Sequence, residues 1–287
     1  MFSSIVVGYD ESPSSRAALK EATLWIKNHG GQLFLVHAVY FDQEEFTTLP
    51  SQREKRFEIG TKICLEAKKS LRDEYGLNGS IESLMCEGEP HDVIVDIARG
   101  KDADLIALGT YGRKGLKRLL MGSVTSQVIL NSPCDVLVVK KPCSQCSGSY
   151  HSLLVPFDGS EMSKKALTRA CELSKVDGAE ISVLYVIPRY EEMMDFFKTE
   201  NIKKSLYQEA EKIVEGAKRL AAGLGVPIKA VVQEGHAGDK VVEIADTIRH
   251  DLIVVGTHGW RGVNKAIMGS TVERIIAYAS CPTLIAR

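Results

Sequence analysis

Several signatures that would assign a function at once are missing from this 287-residue chain. Neither sign of charge is in surplus: 36 Lys and Arg stand against 37 Asp and Glu, a formal net charge of −1. The chain therefore lacks both the basic footprint expected of a nucleic-acid binder and an acidic tail. No apolar run is long enough to span a membrane, and the start, Met1-Phe2-Ser3-Ser4-Ile5-Val6-Val7-Gly8, has no basic segment ahead of a long apolar one. These absences predict a soluble, cytoplasmic protein with no membrane partner. The seven cysteines form an odd set without framework spacing. Reduced thiols are expected, with Cys64, Cys86, Cys171 and Cys281 serving as small buried hydrophobes in amphipathic or strand-like context.

The familiar catalytic patterns are absent too. There is no Walker A spacing with its lysine, no H-E-x-x-H and no G-x-S-x-G. After the first strands stand Gly8-Tyr9-Asp10 and Pro156-Phe157-Asp158 where a dinucleotide fingerprint would need three close glycines. A nucleotide hydrolase would need a base and usually a metal held by carboxylates near the γ-phosphate, and no carboxylate pair lies beside the glycine loops described next.

What is present is a repeat. Gly109-Thr110-Tyr111-Gly112, nine residues, then Gly122-Ser123 recurs as Gly256-Thr257-His258-Gly259, nine residues, then Gly269-Ser270. Each copy follows an apolar, strand-like run, residues 104–108 and 251–255, and leads into a helical pattern beginning at Ser123 or Ser270. A glycine turn after a strand, with free N–H groups at a helix start, supplies the parts of an anion site. Glycine serves where the backbone takes positive φ or approaches a ligand closely.

At an offset of about 147 residues the two halves align in order, Asp10 with Asp158, Glu87-Gly88 with Glu234-Gly235, and residues 133–139 with 282–286. This is a tandem duplication: residues 1–141 form one domain, 142–150 a Pro-, Ser- and Gly-containing linker, and 151–287 a second domain. Within the first half the patterning predicts strands at 4–9, 32–39, 80–86, 104–109 and 135–140, with helices at 13–28, 52–75, 91–100 and 123–131. Short Val-, Ile- and Leu-rich strands alternating with helices predict a doubly wound α/β domain, a five-stranded parallel sheet in the order 3-2-1-4-5. Asp10, Asp158 and both glycine turns then fall at strand C-terminal ends, where such folds bind ligands. The stretches 40–52 and 188–203 read as surface excursions, with lids over the crevice as the alternative.

The full glycine spacing, together with the early strand-end Asp, resembles the ATP-binding branch of the universal stress protein family, in a tandem form that covers the chain outside the linker. That resemblance implies ATP or AMP as ligand, with or without Mg²⁺, one site per domain, in a stress-response regulatory protein. Asp10 and Asp158 would meet the adenosine portion, and backbone groups of Ala38 and Val186 would face the adenine. Gly109, Gly112, Gly122 and Ser123, with Gly256, Gly259, Gly269 and Ser270, would line the phosphates, while Val124 and Thr271 would add backbone N–H groups. Ala38 departs from the bulkier aliphatic usual there, which matters little for a backbone contact. The resemblance also implies pairing through the last strand, within one chain as a pseudo-dimer or between two chains.

Rival readings stand beside these. Asp10-Glu11-Ser12-Pro13 and Asp158-Gly159-Ser160 are also helix N-terminal signals. Lys114, Lys117, Arg118 and Lys265 read as solvated surface, with Arg113 and Arg261 as the exceptions, candidates to reach phosphate. His258 replaces Tyr111 as a polar loop group. The linker pair Cys143 and Cys146 offers a redox or metal-responsive alternative, and slow ATP hydrolysis or phosphotransfer is a further one.

Overall fold

Every strand-like run identified in the sequence is a strand. The protein, as a computed structural model, is described over residues 2–40, 50–77, 79–111, 121–141, 147–188, 200–257 and 269–287. It divides into two compact units, Met1–Ser149 and Tyr150–Arg287.

The first unit runs β1 (Ser4–Gly8), α1 (Pro13–His29), β2 (Gln32–Val39), α2 (Pro50–Tyr75), β3 (Ile81–Glu87), α3 (Pro90–Gly100), β4 (Leu105–Gly109), α4 (Ser123–Asn131) and β5 (Asp135–Val139). The second repeats it as β6 (Ser152–Pro156), α5 (Glu161–Asp177), β7 (Glu180–Pro188), α6 (Glu200–Gly223), β8 (Ile228–Gly235), α7 (Ala237–Ile248), β9 (Leu252–Gly256), α8 (Ser270–Tyr278) and β10 (Thr283–Ala286). The strand orders are β3-β2-β1-β4-β5 and β8-β7-β6-β9-β10, with parallel pairing within each. Right-handed crossovers place α1 and α2 on one face of the first sheet and α3 and α4 on the other. The same rule arranges α5 to α8.

Burial on both faces explains the near-continuous apolarity of the central strands. Ile5, Val6 and Val7 of β1, Ile106 and Ala107 of β4, and Leu153, Leu154 and Val155 of β6 are wholly inaccessible. Against them α1 sets Ala17, Ala18, Ala22 and Trp25, and α5 sets Ala166, Leu167, Ala170 and Cys171. These helical-period stripes carry enough alanine for the helix axes to sit close to the sheet.

Two expectations need correction. The helix after β2 begins at Pro50, two residues before the predicted start, and α6 begins at Glu200, so part of each predicted excursion is helical. Residues 41–49 and 189–199 lie outside the described residues. Cys64 and Cys171 are buried as expected, and burial pushes both thiols up to about 11. Cys86 and Cys281 are only half-buried. Cys86 lies on β3, an outer strand of its sheet, and Cys281 lies in the turn before β10.

Candidate functional site

At the C-terminal end of β1 the chain turns through Tyr9 and Asp10 into α1. Tyr9 N–H donates to Val36 O at 2.9 Å, and Phe157 N–H donates to Leu184 O at 2.9 Å in the second unit. The Asp10 carboxylate accepts from Ser12 N–H at 3.0 Å, and Asp158 does the same for Ser160 N–H at 3.0 Å. Ser12 and Ser160 are the N-caps, each accepting from the N–H three residues on at 3.2 Å. The Ser thus carries the cap while the Asp braces the turn, so the capping and binding readings fall on different side chains. Both Asp residues remain half-exposed at the sheet edge.

The neighbouring strand end, β4, brings the glycine loop alongside, because β1 and β4 pair in parallel from Ile5↔Leu105 to Val7↔Ala107. Gly109, Gly122, Gly256 and Gly269 all have ordinary backbone angles rather than positive φ. Their reason lies in packing. A Cβ on Gly109 would fall 2.5 Å from Ser14 Oγ and 2.6 Å from Ser15 N, and one on Gly256 would fall 2.6 Å from Met162 Cβ and 2.7 Å from its carbonyl carbon. The first glycine of each motif therefore lets the N-terminal turn of α1 or α5 press onto the strand end that starts the loop. A Cβ on Gly122 would lie 3.0 Å from Thr110 O.

Helices α4 and α8 start directly after the loop. Gly122 and Gly269 are their N-caps, and neither has a side chain to occupy the free N–H groups of the first turn. Ser123 and Ser270 are exposed at the first helical position, and Val124 and Thr271 follow, half-exposed. An uncapped helix start of this kind presents N–H donors and a positive dipole end to any anion in front of it. Ala38 and Val186 occupy matching places near the ends of β2 and β7, each two residues beyond the carbonyl that accepts from Tyr9 or Phe157. Gly112, Gly259, His258 and the basic loop residues Arg113, Lys114, Lys117, Arg118, Arg261 and Lys265 lie outside the described residues, as do Cys143 and Cys146.

Several groups that sequence reading passed over hold the first loop. Ser14 Oγ donates to Tyr111 O at 2.7 Å, Thr125 Oγ1 donates to Gly109 O at 2.8 Å, and Gly122 N–H donates to Thr110 O at 2.8 Å. Asp10 N–H donates to Ser15 Oγ at 3.3 Å, tying the Asp turn to the same helix start. Thr110 Oγ1, 1% exposed, has no hydrogen-bond partner among the described residues. The hydroxyl run Ser12-Pro13-Ser14-Ser15 was the available signal, but its partners lie 97 residues away in sequence.

Comparison with known proteins bears on the family and the fold. The universal stress protein family profile matches residues 1–140 and 149–287. A universal stress protein of Mycobacterium tuberculosis is 27% identical over 297 aligned residues, spanning 99% of this chain and 96% of that one. A shorter one from Methanocaldococcus jannaschii is 36% identical over 149 residues, 50% of this chain and 84% of its own length. Among solved structures, a universal stress protein from Archaeoglobus fulgidus superposes with a TM-score of 0.73 at 18% identity, covering 99% of this chain and 97% of that one, which speaks for the fold. No helix among the described residues is long and apolar enough to cross a membrane. With the profile matching both halves, the chain belongs to the universal stress protein family.

Proposed function

We propose that each unit binds one adenine nucleotide, ATP or AMP, and that occupancy regulates the protein rather than feeding a reaction. One observation carries this reading: in both units a strand-end carboxylate and an uncapped, glycine-led helix start converge on the same end of the sheet. An Asp carboxylate accepts ribose hydroxyl hydrogen bonds, and a helix start with free N–H groups favours phosphate. In this arrangement Asp10 and Asp158 take the adenosine portion, backbone groups of Ala38 and Val186 face the base, and Gly122 to Val124 and Gly269 to Thr271 take the phosphates. Mg²⁺, where it accompanies the nucleotide, would be held mainly by phosphate oxygens. Slow hydrolysis is a possible side activity of such a site and not its design.

Ser123→Asp and Ser270→Asp test the reading cleanly. Each variant adds a negative charge at an exposed first-turn position, which favours the helix dipole and leaves the fold intact while repelling phosphate. Calorimetric titration with ATP and AMP, with and without Mg²⁺, should show each substitution weakening its own site by about tenfold or more. Unchanged affinity in both variants would remove phosphate from these helix starts.

A further inference from the structure

At the opposite end of the strands from the glycine loops, the two units close in the same way. In the first, the Asp104 carboxylate accepts from Ser3 N–H at 2.9 Å, Ser3 Oγ at 2.7 Å and Ser4 N–H at 3.0 Å. In the second, Asp251 accepts from His151 N–H at 2.7 Å and Ser152 N–H at 3.0 Å. The residue just before the Asp differs. The first unit has Ala103, 8% exposed, where the second has His250, 5% exposed.

The His250 imidazole is held on one side only. Its Nδ1 lies 2.8 Å from Ser152 Oγ, while Nε2 is buried with no hydrogen-bond partner among the described residues. A neutral ring leaves a single lone pair or a single N–H unsatisfied there. A protonated ring must bury a charge and point an N–H donor at nothing, which is far more costly. Burial accordingly holds the ring's pKa below the ordinary histidine value, against the opposing effects of a hydrogen bond with the Ser152 backbone and of the Asp251 charge. The charged neighbour that favours the protonated ring is Asp251. Asp246 on α7 accepts from Ser280 Oγ; Arg249, just past α7, and His151, just before β6, are exposed.

We propose that His250 is a built-in acid trigger that opens the second unit, and not the first, as pH falls below neutral. The direction follows from linkage. The folded unit resists the proton that the unfolded chain accepts near pH 6.5, so its stability is full above that value and declines as pH falls towards the depressed folded value. The first unit carries no such group at this position. For Asp104, burial raises the pKa, but hydrogen bonds from the Ser3 hydroxyl and the Ser3 and Ser4 N–H groups outweigh it and lower it overall. The first unit's corresponding acid limb therefore lies below the ordinary aspartate range. Because His250 precedes β9, and β9 ends at Gly256, opening here would also dismantle the second glycine loop. That consequence for nucleotide binding rests on the function proposed above; the trigger itself does not.

The test is NMR titration of the His250 ring in the full chain, with hydrogen exchange followed by mass spectrometry from pH 7.5 to 5, corrected for intrinsic exchange rates. The ring is expected to titrate below 6.5. The opening equilibrium of second-unit peptides should rise by up to about tenfold per pH unit below that point, with first-unit peptides nearly flat. His250→Asn keeps a polar atom near the Nδ1 position without titrating and should abolish the difference. A ring titrating at or above 6.5, equal pH response in the two units, or an unchanged difference in His250→Asn would each overturn the proposal. The ring titration of the native protein decides even where the variant folds poorly.

Discussion

The two glycine loops begin from the same motif and are held by different chemistry. In the first unit the loop is clasped by hydroxyls: Ser14 to Tyr111 O, Thr125 to Gly109 O, and a 2.8 Å backbone bond from Gly122 to Thr110. In the second, Met162 and Val272 stand at the positions of Ser14 and Thr125, and the Gly269 to Thr257 backbone bond lengthens to 3.4 Å. Among the described residues the Thr257 hydroxyl reaches the Met162 sulfur at 3.6 Å, a weaker acceptor than the carbonyls that hold the first loop. What both copies retain, the strand-end Asp, the Ser cap and the packed first glycine, is what the fold and the proposed site require. What differs sets how firmly each loop is held in advance. A loop already held in its bound shape loses less on binding, so the first site should be the tighter of the two.

The retained features make the largest predictions. Gly109→Val and Gly256→Val each drive a side chain into the start of α1 or α5 and should cost their own unit about 3 kcal/mol or more. Denaturant unfolding combined with hydrogen exchange would locate the damage; a variant of wild-type stability would show that the close approach is not required. Next come the caps. Ser12→Ala and Ser160→Ala should each cost about 1 kcal/mol, and by nearly equal amounts, since the cap distances match at 3.2 Å. A clear inequality would break the equivalence of the two turns.

Loop chemistry is the sharper discriminator. Thr125→Val installs the second unit's residue in the first and removes a bond worth about 1 kcal/mol. Amide exchange around residues 109–111 should quicken by about fivefold, and nucleotide affinity at the first site should fall towards that of the second. The smallest effect is expected at Glu11, which holds φ 63° where the second unit has Gly159 at φ 82°. Glu11→Gly relieves a left-handed conformation that side chains resist, but gives up a 3.5 Å surface ion pair with Arg16. A net gain below about 1 kcal/mol in thermal unfolding is expected.

Much of this was legible in the sequence. The strands β2 and β4 to β7 announce themselves through short Val, Ile and Leu runs, and Ser12-Pro13 and Ser160 mark the helix starts. The outline of the proposed site, Asp10 with Gly122-Ser123 and Asp158 with Gly269-Ser270, came from spacing and duplication. The reason for Gly109 did not, because the backbone of Ser14 and Ser15 that it makes room for is far away in sequence. Thr125 was invisible as a clasp for the same cause: a hydroxyl in a helix reveals its partner only after the helix docks. Cys86 looked buried from its strand-like context alone, although the predicted order 3-2-1-4-5 already put its strand at the edge of the sheet, where one flank has no neighbouring strand. His250 carried no signal in the sequence, because Ser152, whose hydroxyl meets its ring, lies 98 residues away.

The central claim is two nucleotide sites in one chain, unequal in strength. Native mass spectrometry of the nucleotide-free protein titrated with ATP reads this directly, because each ligand adds a resolvable increment to the 31.5 kDa chain. Two successive additions are expected, with Ser123→Asp weakening the first and Ser270→Asp the second by about tenfold or more. A single addition, no addition, or two additions insensitive to both substitutions would contradict that claim.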